Sequence, residues 1–175
     1  MHAMIDLETL NVGVSAPLFE IGVCFFDVPG REIVSSLQWD VDLLDVILTT
    51  GFMPSKDTVQ WWQKQDYNSR CRPWVPLALA LSELSDQMRK HKVEKVWANS
   101  PSFDCVLLQR HYEACNIPVP WRYSQELDFR TMCWMDKRTH KPETNHVSHN
   151  AREDAVAQTK ILFLIMDGMN NVETD

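Results

Sequence analysis

Two carboxylates, Asp6 and Glu8, close a short apolar run near the start of the chain, in Met4-Ile5-Asp6-Leu7-Glu8-Thr9. Side chains alternate along a strand, so these two project from the same face. Carboxylates forced together repel unless a cation lies between them. Near the other end the chain reads His149-Asn150-Ala151-Arg152-Glu153-Asp154. Asn150 is a good helix N-cap with Glu153 at the third helical position, a variant of the capping box, so a helix is expected to start at Ala151. His149 then precedes the cap and Asp154 is the fourth helical residue, the two positions that meet in a hydrophobic staple. Here the pair is polar. It is either a structural staple at a helix entrance or a general base beside a metal ligand. Between these ends, Ser100-Pro101-Ser102 is a cap-and-proline signal for a helix start, which puts Asp104 in that helix's first turn.

The chemistry such a set could perform is phosphodiester hydrolysis. That reaction needs an activated water and a stabilised leaving oxygen, and two metal ions roughly 3.5 to 4 Å apart supply both. Hard cations such as Mg²⁺ take oxygen ligands. Asp6, Glu8, Asp104 and Asp154 offer four carboxylates, and a helix N-terminus favours the anionic form of the last two. His149 is then placed to take a proton from the attacking water. His146 lies nearby but lacks a carboxylate at the same spacing.

The elements that must position these residues can be read from hydrophobic periodicity. Strands are expected near 2–6, 19–27 and 32–39, the last two joined by the turn Asp27-Val28-Pro29-Gly30 as a hairpin. A helical pattern follows: a short helix near 42–48, a second from Asp57 to about Gln65, and an amphipathic one over roughly 75–91 striped by Leu77, Leu79, Leu81, Leu84 and Met88. A fourth strand is expected at 94–98, a helix through about Cys115, and a fifth strand near 125–128. A helix through Trp134, a basic loop and a long helix from Ala151 to about Met166 complete the chain. A meander followed by alternating helices and strands implies a mixed five-stranded α/β sheet flanked by helices, with the carboxylates of the central strand facing a cleft.

At 175 residues, 45% of them hydrophobic, the chain is expected to form a single domain over 1–175 with a proper core. The five cysteines (Cys24, Cys71, Cys105, Cys115, Cys133) form no C-x-x-C pair, which argues against a disulfide framework or a structural zinc site and for a reducing cytoplasm. No basic start with a long apolar stretch marks a signal peptide, and no run approaches the ~18 to 20 apolar residues of a membrane helix, so no membrane partner is expected. A net charge of −7 ordinarily speaks against nucleic acid. Two bound divalent cations would bring it to about −3 and leave local basic clusters to decide. Two clusters exist, Lys64 with Arg70 and Arg72, and Lys137 with Arg138, His140 and Lys141; as solvated surface charge they carry no function.

The order D-x-E, a later aspartate opening a helix, and H-x-x-x-x-D resembles the DEDD exonuclease superfamily, and the histidine five residues before the last aspartate resembles its DEDDh, DnaQ-like branch. The resemblance covers nearly the whole chain. It implies a ribonuclease H-like fold and a 3′-5′ exonuclease that releases 5′-mononucleotides from a nucleic acid with a free 3′ end, using two Mg²⁺ or Mn²⁺ ions. On that resemblance Asp6, Glu8, Asp104 and Asp154 are the metal-binding acids and His149 the general base. Thr9 and Asn99 match positions that contact the 3′-terminal nucleotide. Thr58-Val59-Gln60-Trp61-Trp62-Gln63-Lys64-Gln65 resembles a phage and bacterial subgroup of compact exonucleases, exonuclease VIII-like or exoribonuclease-like. Adjacent helical residues point roughly 100° apart, so one of Trp61 and Trp62 is expected in the core and the other exposed to stack a base.

Two rivals remain on the sequence. A haloacid dehalogenase-type phosphatase also begins with a strand-end acidic motif, but it requires a second aspartate where Glu8 stands and uses the first as nucleophile. A non-catalytic binding module of the exonuclease fold would be marked by a missing acid, and none is missing. DNA or RNA as substrate stays open, as does the oligomeric state, a homodimer included.

Overall fold

The computed structural model describes residues 1–65, 73–136 and 149–170. Arg70, Arg72, Cys71, His146 and the basic loop from Lys137 to Lys141 lie outside the described residues.

Strands β1 (His2–Thr9), β2 (Leu18–Asp27) and β3 (Glu32–Asp40) form an antiparallel meander. Its tight turn is held by the Gly30 N–H donating to the Asp27 carboxylate at 2.7 Å. Helices α1 (Leu43–Thr50), α2 (Lys56–Trp62) and α3 (Leu77–Lys90) follow, then β4 (Lys95–Ala98), α4 (Asp104–Ala114), β5 (Glu126–Asp128), α5 (Phe129–Met135) and α6 (Ala151–Asn170). Strand order is β3-β2-β1-β4-β5, with β4 and β5 parallel to β1 and to each other, so β1 is central in a mixed five-stranded sheet. This is the ribonuclease H-like α/β architecture.

Alternation along β1 divides the core. Ala3, Ile5 and Leu7 enter the larger apolar layer with Leu81, Leu84, Leu107 and Leu108 of α3 and α4. Met4 enters a smaller layer with Trp97, Phe129, Ala155, Leu162 and Ile165, under α5 and α6. Asp6 and Glu8 continue the Met4 series, so they face α6.

The structure alters several expected boundaries: α2 ends at Trp62 rather than Gln65, α6 runs to Asn170 rather than Met166, and three further changes bear on the site. β1 does not end at Asp6 but runs to Thr9, because β2 supplies cross-strand partners as far as Leu18; Asp6 and Glu8 therefore sit within a paired strand, opposite Gly22 and Glu20. Helix α3 begins at Leu77 rather than Val75, since Val75 bridges to Val41 and Pro76 takes the cap position. Residues 100–103 form a turn before α4, and its first bonds, Asp104 N–H and Phe103 N–H to the Ser100 carbonyl, bring Asp104 to the first helical position.

Candidate active site

The site is assembled at the edge where β1 and β4 end. Asp6 and Glu8 come from β1, Asp104 from the start of α4 directly after β4, and Asp154 from the first turn of α6. Carboxylate oxygens of Asp6, Glu8 and Asp154 all lie within 4.8 Å of one another. Asp104 stands outside that triad but is the neighbouring carboxylate whose charge weighs most on Asp6. The four acids expected from the sequence thus converge.

Their electrostatics follow from this crowding. Asp6 keeps some residue surface, yet its carboxyl group is withdrawn from water, and that desolvation, then the charges of Asp104 and Glu8, hold it well above the usual carboxylate range. Burial pushes Asp104 up to about 7, against backbone hydrogen bonds and the nearby Arg130 guanidinium, which favour the anion. Three acids at mutual distances suited to a shared ion, all offering hard oxygen donors, fit a Mg²⁺- or Mn²⁺-type cation.

Helix α6 is held in place by residues the sequence reading missed. Asn150 caps it as expected, its Oδ1 accepting from the Glu153 N–H at 3.0 Å. Beneath it, buried Glu20 of β2 accepts from the Asn150 amide at 3.1 Å and from the Ala151 N–H at 3.2 Å, and Gln38 of β3 donates to the same carboxylate. An anion at a helix N-terminus also complements the helix dipole. Gly22 lets the helix come this close: a Cβ there would stand 2.0 Å from the Ala151 carbonyl carbon. From one turn further along α6, Gln158 Nε2 donates to Asp6 Oδ1 at 2.8 Å. A lone glutamate and a glycine inside the apolar run Phe19-Glu20-Ile21-Gly22-Val23 were the available signals for β2.

His149 precedes the cap with a positive φ of 44°. Its imidazole packs edge-to-face against both indoles of α2, with centroids 4.6 Å from Trp61 and 5.7 Å from Trp62. The two tryptophans do divide by exposure, Trp61 being 42% exposed. Trp62 is half-buried rather than core: its Nε1 donates to the Thr9 carbonyl at 2.9 Å and its ring meets Phe19. A cleft of about 520 Å³ opens here, lined by Glu8, Thr9, Thr58, Trp61, Trp62 and Phe103 among others. Phe103 is a lining residue that its sequence position did not single out. Asn99 lies just past β4, where Arg130 of α5 donates to its carbonyl at 3.1 Å and to its Oδ1 at 3.4 Å.

With this geometry in hand, residues 1–166 match the family described as the 3′-5′ exoribonuclease Rv2179c-like domain. The chain belongs to this family. Among curated proteins none matches it. Its fold is that of DnaQ-like exonucleases. It resembles the zinc-bound E. coli ExoI–ssDNA complex with a TM-score of 0.66 at 13% identity, over 94% of this chain and 40% of that one. Exonuclease I from Methylocaldum szegediense follows with a TM-score of 0.57, 13% identity and the same 94% and 40% coverage. A full-length 3′-exonuclease gives a TM-score of 0.51 at 13% identity, covering 95% of this chain and 81% of that one. The chain therefore spans about 40% of the length of the exonuclease I chains it matches. Among the described residues, no helix is long and apolar enough to cross a membrane.

Proposed function

We propose that this chain is a single 3′-5′ exonuclease domain of the DEDDh type that removes nucleotides one at a time from a free 3′ end, with RNA as the preferred substrate. The observation that carries the reading is the meeting of Asp6, Glu8 and Asp154 within 4.8 Å, beside Asp104, in a chain whose family is described by that activity. The family description also favours RNA, while two of the similar structures are complexes with single-stranded DNA.

Asp6, Glu8, Asp104 and Asp154 would hold two Mg²⁺ or Mn²⁺ ions, which when bound supply a more acidic water and stabilise the leaving oxygen. His149 accepts the proton that the attacking water loses as its oxygen bonds to phosphorus. The bond from phosphorus to the 3′-oxygen of the preceding nucleotide breaks, that oxygen is protonated from solvent, and a 5′-mononucleotide leaves. The indoles of Trp61 and Trp62 brace the imidazole by its edge, which limits its rotation. The exposed part of Trp61 in the cleft gives the terminal base a surface to stack on, with Thr9 lining the same cleft and the Asn99 backbone hydrogen-bonded to Asp104.

The test uses 5′-labelled RNA and DNA oligonucleotides, each with a free or a 3′-phosphorylated end, with Mn²⁺ or with chelator. Expected are ladders shortened from the free 3′ end, mononucleotide products, faster turnover of RNA, and no cleavage in chelator. Internal cleavage of the blocked oligonucleotides, or activity in chelator, would refute the reading. Trapping an aspartyl-phosphate on Asp6 would favour the phosphatase rival instead.

A further inference from the structure

We propose that Gln158 is a positioning residue: it fixes the carboxylate of Asp6 in the orientation in which Asp6, Glu8 and Asp154 can share a metal ion. The inference rests on the two-metal reading above and deepens it.

Asp154 and Gln158 are four apart on α6, hence neighbours on one face of that helix. One joins the triad of carboxylates and the other donates from Nε2 to Asp6 Oδ1 at 2.8 Å. A single face of α6 therefore supplies both an acid and the amide that orients the acid opposite. An aspartate's terminal torsion is broad and roughly two-fold, so an unanchored Asp6 would sample orientations that turn its carboxylate away from Glu8 and Asp154. The amide bond selects one of them and leaves Oδ2 outside the bond.

The other end of the amide points to the same role. Gln158 Oε1 is buried and has no hydrogen-bond partner among the described residues. A glutamine kept for the helix or the sheet would have its acceptor satisfied, since buried polar atoms nearly always are. Among the described residues the donor end is committed to Asp6. The reverse amide orientation would set a carbonyl oxygen against a carboxylate oxygen, so the donor assignment is the one compatible with an ionised ligand. Groups that orient ligands in this way typically account for 10- to 100-fold in metal affinity.

Two variants separate positioning from packing. Gln158→Met keeps most of the side-chain volume and removes the donor, and Gln158→Ala removes both. Mn²⁺ binding to the full chain is measured by titration calorimetry, together with the melting temperature in chelator and the Mn²⁺ concentration that gives half-maximal nuclease rate. Positioning predicts that both variants bind Mn²⁺ about 10- to 100-fold more weakly than the parent. It also predicts that Gln158→Met melts close to the parent, and that its rate is largely restored at high Mn²⁺. Parent-like Mn²⁺ affinity in Gln158→Met overturns the inference and leaves the two-metal reading standing; should that variant fail to fold, parent-like affinity in Gln158→Ala does the same. A parent chain that binds no Mn²⁺ overturns both.

Discussion

At the scale of single residues, four acids stand close together, and the withdrawal of Asp6 from water, reinforced by the charges of Asp104 and Glu8, raises the affinity of Asp6 for its proton. Removing one acid should therefore abolish activity while relieving strain in the metal-free chain. Asp6→Ala and Asp154→Ala are expected to lose detectable nuclease activity, and their melting temperatures in chelator should hold or rise. Near-normal turnover in both would end the two-metal reading. On the proposed reading His149 acts differently, as general base. Its loss should lower the rate by about 10²- to 10⁴-fold, the usual contribution of a positioned general base. Mn²⁺ affinity should scarcely change, and a calorimetric titration of His149→Ala beside its kinetics checks both halves. The tryptophans should also part company. Trp61→Ala, which removes the exposed ring, is expected to weaken binding of a 3′-tailed single strand by about ten-fold or more, since a stacked base contributes about 1 to 3 kcal/mol. Trp62→Ala should instead lower the melting temperature, because that ring also ties α2 to Thr9 and Phe19; fluorescence anisotropy and thermal melts distinguish them.

At the scale of elements, the site depends on how closely α6 lies on β2. Gly22 has no room for a methyl group, with the Arg152 nitrogen 2.3 Å from where a Cβ would be. Gly22→Ala should push the start of α6 off the sheet, carrying His149 and Asp154 away from Asp6. The expected outcome is loss of most activity and of Mn²⁺ affinity, together with a destabilisation of a few kcal/mol, the scale of overpacking against backbone. A parent-like melting curve and activity would show that the helix can shift without disturbing the acids. The acids and histidine were legible in the sequence because each is tied to a local signal: alternation for Asp6 and Glu8, a cap for Asp154 and His149, a helix start for Asp104. Their supports were not. Gln158 bonds a residue 152 positions away and Glu20 reaches the helix cap 130 positions on. On its own helix Gln158 reads as solvated surface. The contact of His149 with Trp61 and Trp62 likewise depends on where α2 comes to rest, which short-range periodicity does not encode. The sheet order was approximated by the meander and the alternation after it, whereas the extension of β1 to Thr9 came from its partner strand.

At the scale of the whole molecule, buried titrating groups couple the protonation state of the site to global stability. Asp104, raised from 3.8 to about 7 in the fold, binds its proton more tightly folded than unfolded. It therefore contributes stability that is fully present below about pH 4 and lost as pH rises through about 7. His111 works in the opposite sense: burial lowers it from 6.5 to about 4, so its contribution is present above 6.5 and lost as pH falls through about 4. A comparison of the parent with Asp104→Asn cancels the histidine and leaves the Asp104 carboxylate together with the repulsion it exerts on Asp6. In chelator, the variant's advantage in unfolding free energy should grow between pH 4 and 8 and reach the order of 4 kcal/mol. Denaturant melts at several pH values measure it, and a flat difference across that range would mean that Asp104 is ionised without penalty. Because ligands must give up their protons, Mn²⁺ affinity should rise with pH over the same interval.

The carboxylates that meet in the site are drawn from opposite ends of the chain, Asp6 from the first strand and Asp154 from the last helix. Consider that arrangement during translation. A nascent chain that has already formed the β1–β2–β3 meander carries Asp6 and Glu8 but lacks Asp104, Asp154, the histidine and the glutamine. At about 5 to 20 residues per second, the interval between making Asp6 and making Asp154 lasts on the order of ten seconds. Throughout it the polypeptide sits beside the messenger that encodes it, and if its substrate is RNA, that messenger is spared by the late arrival of α6. On the two-metal reading, a truncated product ending before Asp154 is expected to be inert for the same reason.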